Sequence, residues 1–240
     1  MHGFGLPPYT VRKSPRAKRA KLKISPLGEL EVVIPRGFDS NLIPVLLGEH
    51  EHWIARTLTG IETQRRQHHD ENELLPRSIA LLAIDERVSV KYQPALFSQL
   101  EVEGQGNGKK ILRLMSPGEV EARELLCAWL QELAQVQLVQ MLRILSDQLE
   151  LPVRKTSVRA QRSRWGSCSS RQDISVNRSL LFLPRTLMRY VLVHELCHTR
   201  HLDHSREYWK LVEVHEPDYR SLDKALRQGW NYVPRWACPR

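Results

Sequence analysis

YVLVHELCHTRHLDH, residues 190–204, places four histidines, a glutamate and a cysteine behind an apolar lead. Apolar positions at Leu187, Tyr190, Val191, Val193 and Leu196 predict a buried helix, and His194, Glu195 and His198 sit on it. A separation of four brings both imidazoles to one face, one turn apart, where two neutral ring nitrogens can reach one Zn²⁺. Glu195, beside the first ligand, is placed to take a proton from metal-bound water rather than to bind the metal. The competing reading, two hydrogen-bonded core histidines, leaves a glutamate on the same buried helix without a purpose.

Two histidines compete for the third ligand position. On an unbroken helix His201 lies about 10 Å further along the axis than His194, beyond the reach of one shared ion. His204 can turn back if the helix ends between His201 and Asp203. The sequence LDHS permits that end, and Ser205 is available to cap a following helix, REYWKLVEVH. The expected ligands are therefore His194, His198 and His204, with His201 exposed or supporting a ligand from behind. Three protein ligands and an open position describe a catalytic zinc site. Cys197 points about 100° away from His198 around the helix and reads as a small buried residue. Cys168 leaves a second reading open, a closed structural site of three histidines and one cysteine.

Outward from this segment, the chain reads as α+β. AKLKIS and ELEVVIP flank PLG at 26–28, a β-hairpin. Residues 39–67 follow helical spacing, with Asp39 or Ser40 as N-cap and Pro44 in the first turn. SIALLAI, RVSVKYQ, SQLEVEG and KKILRLM between 78 and 115 predict a small antiparallel sheet, with GQGNG as a flexible connection. Ser116, Pro117 and Glu119 open the longest helical pattern, which runs to Leu149. Two or three short strands joined by GSCSSRQD follow, and then a helix starting near Pro184. A β-rich part over residues 1–115 and a helix-rich part over 116–240 are expected to share a core.

The 240 residues are 41% hydrophobic, enough for a sizeable core, and no run approaches a membrane span. Met1–Lys23 has no apolar stretch of signal-peptide type, and the four cysteines form no CxxC pair. A soluble, cytoplasmic protein with reduced thiols is the expectation. The formal net charge of +9 is concentrated in two blocks: RKSPRAKRAKLK has seven cations and no acid, and Arg154–Arg178 has seven against Asp173 alone. Such blocks suit nucleic acid, nucleotide phosphates or acidic peptide, or a plain solubilising face.

RSRWGSCSS (162–170), ISVNRSLLFLP (174–184) and residues 190–220, YVLVHELCHTRHLDHSREYWKLVEVHEPDYR, occur in an order that resembles the bacterial YgjP family of metal-dependent hydrolases. The basic opening RKSPRAKRAKLKISPLGELEVVIPRG resembles the family's N-terminal hairpin, while residues 60–115 match it loosely. Cys197 stands where alanine is usual and Asp203 where asparagine is common; neither removes a ligand. The resemblance implies a zincin-like metallopeptidase domain over 116–240, ligands at His194, His198 and His204, and a catalytic Glu195. The signature is also similar to that of SprT-type proteases, which act on proteins attached to DNA, and some YgjP members are described as UTP pyrophosphatases.

Arg164 and the hydroxyls of Ser167 or Ser169 can hold a substrate oxyanion or phosphate beside the metal, with Arg164 the catalytic candidate. The alternative is a turn in which Gly166 allows a tight bend and Trp165 packs on the metal helix. Tyr208 and Trp209 read as core. The leading expectation is a hydrolase using Zn²⁺ or another divalent metal on a peptide substrate. Two alternatives stay open: a nucleotide substrate at the same metal, without any GxxxxGK[ST] loop, and a nucleic-acid-binding module with structural zinc.

Overall fold

Alternation on both sides of Pro26–Gly28 becomes a hairpin in the computed structural model, which describes residues 7–66, 75–104 and 110–238. β2 (Lys21–Ile24) and β3 (Leu30–Ile34) pair antiparallel. Gly28 takes φ +83° in the turn, a left-handed value costly for a side chain, and Ser25 Oγ accepts from the amides of Leu27 and Glu29. β1 (Tyr9–Lys13) adds parallel to β3, giving the order β1-β3-β2. The single helix expected over 39–67 divides into a 3-10 turn at Ser40–Leu42, α1 (Ile43–Glu49) and α2 (Glu51–Arg66). His50 leaves helical dihedrals at the break, with ψ 11°, while Asp39 caps the 3-10 turn and Pro44 lies in the first turn of α1. Leu30, Val32 and Ile34 from β3 bury themselves against Ile43, Leu47 and Ile54. Each such side chain contributes about 1.5–3 kcal/mol of transfer free energy.

The chain divides into two compact units, Met1–Glu71 and Asn72–Arg240. The strands of 78–116 therefore belong with the C-terminal helices, and the units part well before the strand-to-helix change at 115/116. Packing explains this: α3 (Glu119–Leu149) rests on β7 (Lys110–Ser116), so strand and helix share one core. With β4 (Ser78–Leu81), β5 (Glu86–Pro94) and β6 (Gln99–Gly104), β7 forms a sheet of order β4-β5-β7-β6. The sheet is mixed rather than antiparallel, because β5 and β7 run parallel at its centre. Most of the GQGNG connection, residues 105–108, lies outside the described residues.

α3 begins two residues beyond the expected Pro117: Ser116 is the last residue of β7, its hydroxyl donates to Gly118 O, and Gly118 is the N-cap. Buried Ala122, Leu126, Leu130, Ala134, Leu138 and Leu142 recur every four residues. That spacing advances about 40° per step around the helix, so the buried stripe winds and α3 meets different partners along its length. Near the start Arg123 donates to the carbonyls of Trp236 and Cys238, and further on Gln131 donates to Val158 O. Val158 lies in β8 (Lys155–Arg159), which with β9 (Gly166–Cys168) and β10 (Asp173–Asn177) makes a second sheet of order β8-β10-β9. Among the described residues no helix is long and apolar enough to cross a membrane.

Candidate metal centre

Pro184 caps α4 (Arg185–Cys197), whose buried Leu187, Tyr190, Val191, Leu192, Val193 and Leu196 carry His194 and Glu195 into the core. The helix ends at Cys197, earlier than the expected His201–Asp203, because the chain tightens there. Thr199 Oγ1 donates to Leu196 O at 2.7 Å, and the amides of Arg200 and His201 both turn to Cys197 O. His198 keeps helical dihedrals (φ −65°, ψ −15°) and so stays one turn above His194. The chain then reverses. Asp203 Oδ1 accepts from the Ser205 amide, and Ser205 Oγ accepts from the Tyr208 amide at 3.4 Å, starting α5 (Arg206–His215) where the sequence placed it.

This reversal brings His204 back over α4. One ligand atom from each of His194, His198 and His204 lies within 4.8 Å of the others. His194 Nε2 and His204 Nε2 are 3.4 Å apart. Two nitrogens about 2.0–2.1 Å from a tetrahedral zinc are separated by about 3.3 Å, so the spacing fits a shared ion. His198 Nδ1 lies 2.9 Å from His201 O; a carbonyl only accepts, so Nδ1 carries the proton and Nε2 is left for the metal. Burial, reinforced by His198 and His204, pushes His194 down to about 4, and burial also lowers His198. Neutral imidazole, the ligand form, is favoured at both.

Tyr208 supports this cluster from below. Its ring stacks on His198 at 4.4 Å, and its hydroxyl donates to His194 O at 3.1 Å, satisfying one of the last-turn carbonyls of α4. Tyr208 is buried, as the sequence suggested, but it is core whose ring touches all three histidines. Trp209 lies 5.6 Å from His204 and stacks on Tyr219.

Glu195 is buried beside the histidines, and burial pushes it up to about 8. Among the described residues no cation pairs with it. A buried carboxylate next to neutral imidazoles is costly unless a positive charge joins them, which a divalent ion does. Gly166 of β9 packs directly on this carboxylate. A Cβ at Gly166 would fall 2.6 Å from Glu195 Cγ and Oε1. Its φ is not left-handed, so the glycine is needed for space and not for the tight bend that is the alternative reading of RWGSCS.

Buried Asn177, at the end of β10, holds the approach to β9. Its side chain donates to the carbonyls of Gln161 and Arg164, each at 2.8 Å, and its backbone N–H donates to Trp165 O. Trp165 stacks on Trp230 with 4.3 Å between ring centroids. Neither Asn177 nor Gly166 has a chemical signature that singles it out in the sequence. Arg164 has an exposed side chain, Ser167 is half-buried and Ser169 is exposed. Ser169 Oγ accepts from the amides of Arg171 and Asp173 in the turn before β10. Cys168 is outside the histidine cluster, and its thiol is pushed up to about 11 by burial and by Glu195 and Asp173. Cys197 is fully buried and pushed up to about 12. His201 serves through its backbone carbonyl.

A family model described as "YgjP-like, metallopeptidase domain" matches residues 18–229. Among solved structures, the chain is similar to the metallopeptidase zymogen of Pyrococcus abyssi abylysin, with 24% identity and a TM-score of 0.33 over 37% of this chain and 91% of that one. No curated protein matches the chain.

Proposed function

This chain belongs to the YgjP-like metallopeptidase family, and from that premise we propose that it is a zinc peptidase in which His194, His198 and His204 hold the metal and Glu195 is the general base. The observation that carries this reading is the convergence of three imidazole ligand atoms within 4.8 Å at the C-terminal end of the helix that also presents Glu195, with His204 supplied by the loop that follows. An all-imidazole donor set of this size suits zinc, which polarises a scissile carbonyl and acidifies water. Glu195 takes the proton of the attacking water on its carboxylate and passes it to the leaving amine nitrogen. Gly166 limits where that carboxylate can go, and the His201 carbonyl fixes the tautomer of His198.

A peptide substrate is supported by the position of β9. It is an edge strand, paired on one side with β10, and it touches Glu195, so an extended peptide added to its open edge would run past the site. Arg164, exposed just before β9, is our candidate for contacting an anionic group of the substrate.

The test is metal analysis followed by hydrolysis of unfolded protein, with nucleoside triphosphates as a parallel arm, comparing wild type with Glu195→Gln. The expected result is zinc retained and proteolysis lost in the variant. Full-rate proteolysis by Glu195→Gln would overturn the assignment of the base. Hydrolysis confined to the triphosphate arm would overturn the peptide reading.

A further inference from the structure

The first compact unit has an open cleft of about 500 Å³ between β2 and the α1–α2 turn, lined by Arg19, Lys21, Leu22, Leu46, His50 and Trp53. We infer that this cleft binds single-stranded nucleic acid, with a base on Trp53 and the phosphates on the cations of residues 13–21. Lys13, Arg16, Lys18, Arg19 and Lys21 are all exposed. Among the described residues no carboxylate pairs with any of the five, whereas Arg12 is held by Glu31, whose charge also acts on Lys23. The strand explains this supply of charge: in β2, Leu22 and Ile24 turn to the core, and Lys21 and Lys23 alternate outward.

Charge alone would suit any polyanion; the floor of the cleft narrows the choice. Trp53 is 38% exposed, an unusual state for an indole, and apolar Leu22 and Leu46 lie beside it. An aromatic face within a cationic groove is the arrangement that stacks successive unpaired bases while the backbone follows the charges. A duplex keeps its bases stacked on one another and offers no face to Trp53. An acidic peptide matches the charge, but its Asp and Glu side chains have no aromatic ring to stack on the indole. Glu49 and Glu51, beside His50 in sequence, are not among the lining residues.

The inference stands apart from the hydrolase reading, and Glu195→Gln is expected to bind like wild type. The experiment measures fluorescence anisotropy of labelled oligo-dT and oligo-rU, about 15 nucleotides each, with the full chain over a series of salt concentrations. A duplex of the same length and a polyglutamate peptide are the competitors. Strands should bind, weaken with salt and resist both competitors; a preference for dT or rU would assign the sugar.

Trp53→Ala should weaken binding about tenfold without changing the salt slope. Arg19→Glu with Lys21→Glu should reduce the magnitude of that slope by about 1.4, from about 0.7 per phosphate contact on a single strand. If Trp53→Ala lowers the melting temperature, Trp53→Phe, which keeps an aromatic face, must restore binding. Equal competition by polyglutamate or duplex, or wild-type affinity in either the Trp53→Ala or the charge-reversed chain, would overturn the inference.

Discussion

Gly166→Ala tests whether the wall of β9 positions Glu195. The added Cβ would stand 2.6 Å from Glu195 Cγ and Oε1 and 2.7 Å from Cδ. Ordinary contact needs about 3.5–4 Å, so the carboxylate or the strand must shift by about 1 Å. A displacement of that size at a reacting group costs about 10²-fold in rate, or about 2.7 kcal/mol of transition-state stabilisation. Overpacking adds about 1–3 kcal/mol of destabilisation, which a thermal melt separates from the catalytic loss. The assay is kcat/KM on an unfolded protein substrate, with zinc content measured on the same samples. The metal should be retained, because the three atoms nearest the added Cβ all belong to Glu195 and not to a ligand histidine. In the cycle with Glu195→Gln, Gly166→Ala should add little further loss, since the group it displaces is already disabled. A single variant within twofold of wild type, or losses that multiply in the double variant, would refute the positioning argument.

His204→Ala should lose the metal, while His201→Ala should keep it, because His201 acts through a carbonyl that any residue supplies; metal content after dialysis distinguishes the two. Tyr208→Phe removes the donor to His194 O and should cost about 1–3 kcal/mol in a denaturant melt, with metal bound more weakly. Ser205→Ala removes the side-chain cap of α5 and should cost about 1 kcal/mol, read as a lower unfolding midpoint. Trp230→Ala opens a cavity beneath Trp165 and should cost about 3–5 kcal/mol by the same measurement.

The elements that were legible in the sequence are those in which one face is buried. β2 and β3 announce themselves through alternation because Leu22 and Ile24 of one and Leu30, Val32 and Ile34 of the other fill a core. β1 has five exposed residues and therefore no alternating pattern; only its backbone pairing with β3 makes it a strand. The parallel β5–β7 pairing was hidden for another reason. Side-chain periodicity reports which face a strand buries, and it is the same whichever direction the neighbour runs. Helix ends were legible where a side chain makes the cap, as at Ser205, and displaced where backbone turns do so, as after Cys197.

The site divides along the same line. His194, His198 and His204 are chemically distinctive, and helix geometry with one cap was enough to bring them together on paper as the fold does in space. Gly166 and Asn177 are not distinctive. Their contribution is distance: one lacks a side chain where Glu195 needs room, and the other ties Gln161 and Arg164 so that β9 approaches at that distance. A glycine in RWGSCS reads as a turn because conformational freedom is the usual reason for one. Here the backbone needs no such freedom, and the reason lies 29 residues away on another element. It follows that substitutions in β9 and in the residues leading into it should not act alike. Those at Gly166 should act on the rate through Glu195, whereas exposed Arg164, whose backbone is already held by Asn177, should act on substrate binding and leave zinc in place. Arg164→Ala is therefore expected to raise KM more than it lowers kcat, and the reverse split would move Arg164 from the substrate to the chemistry.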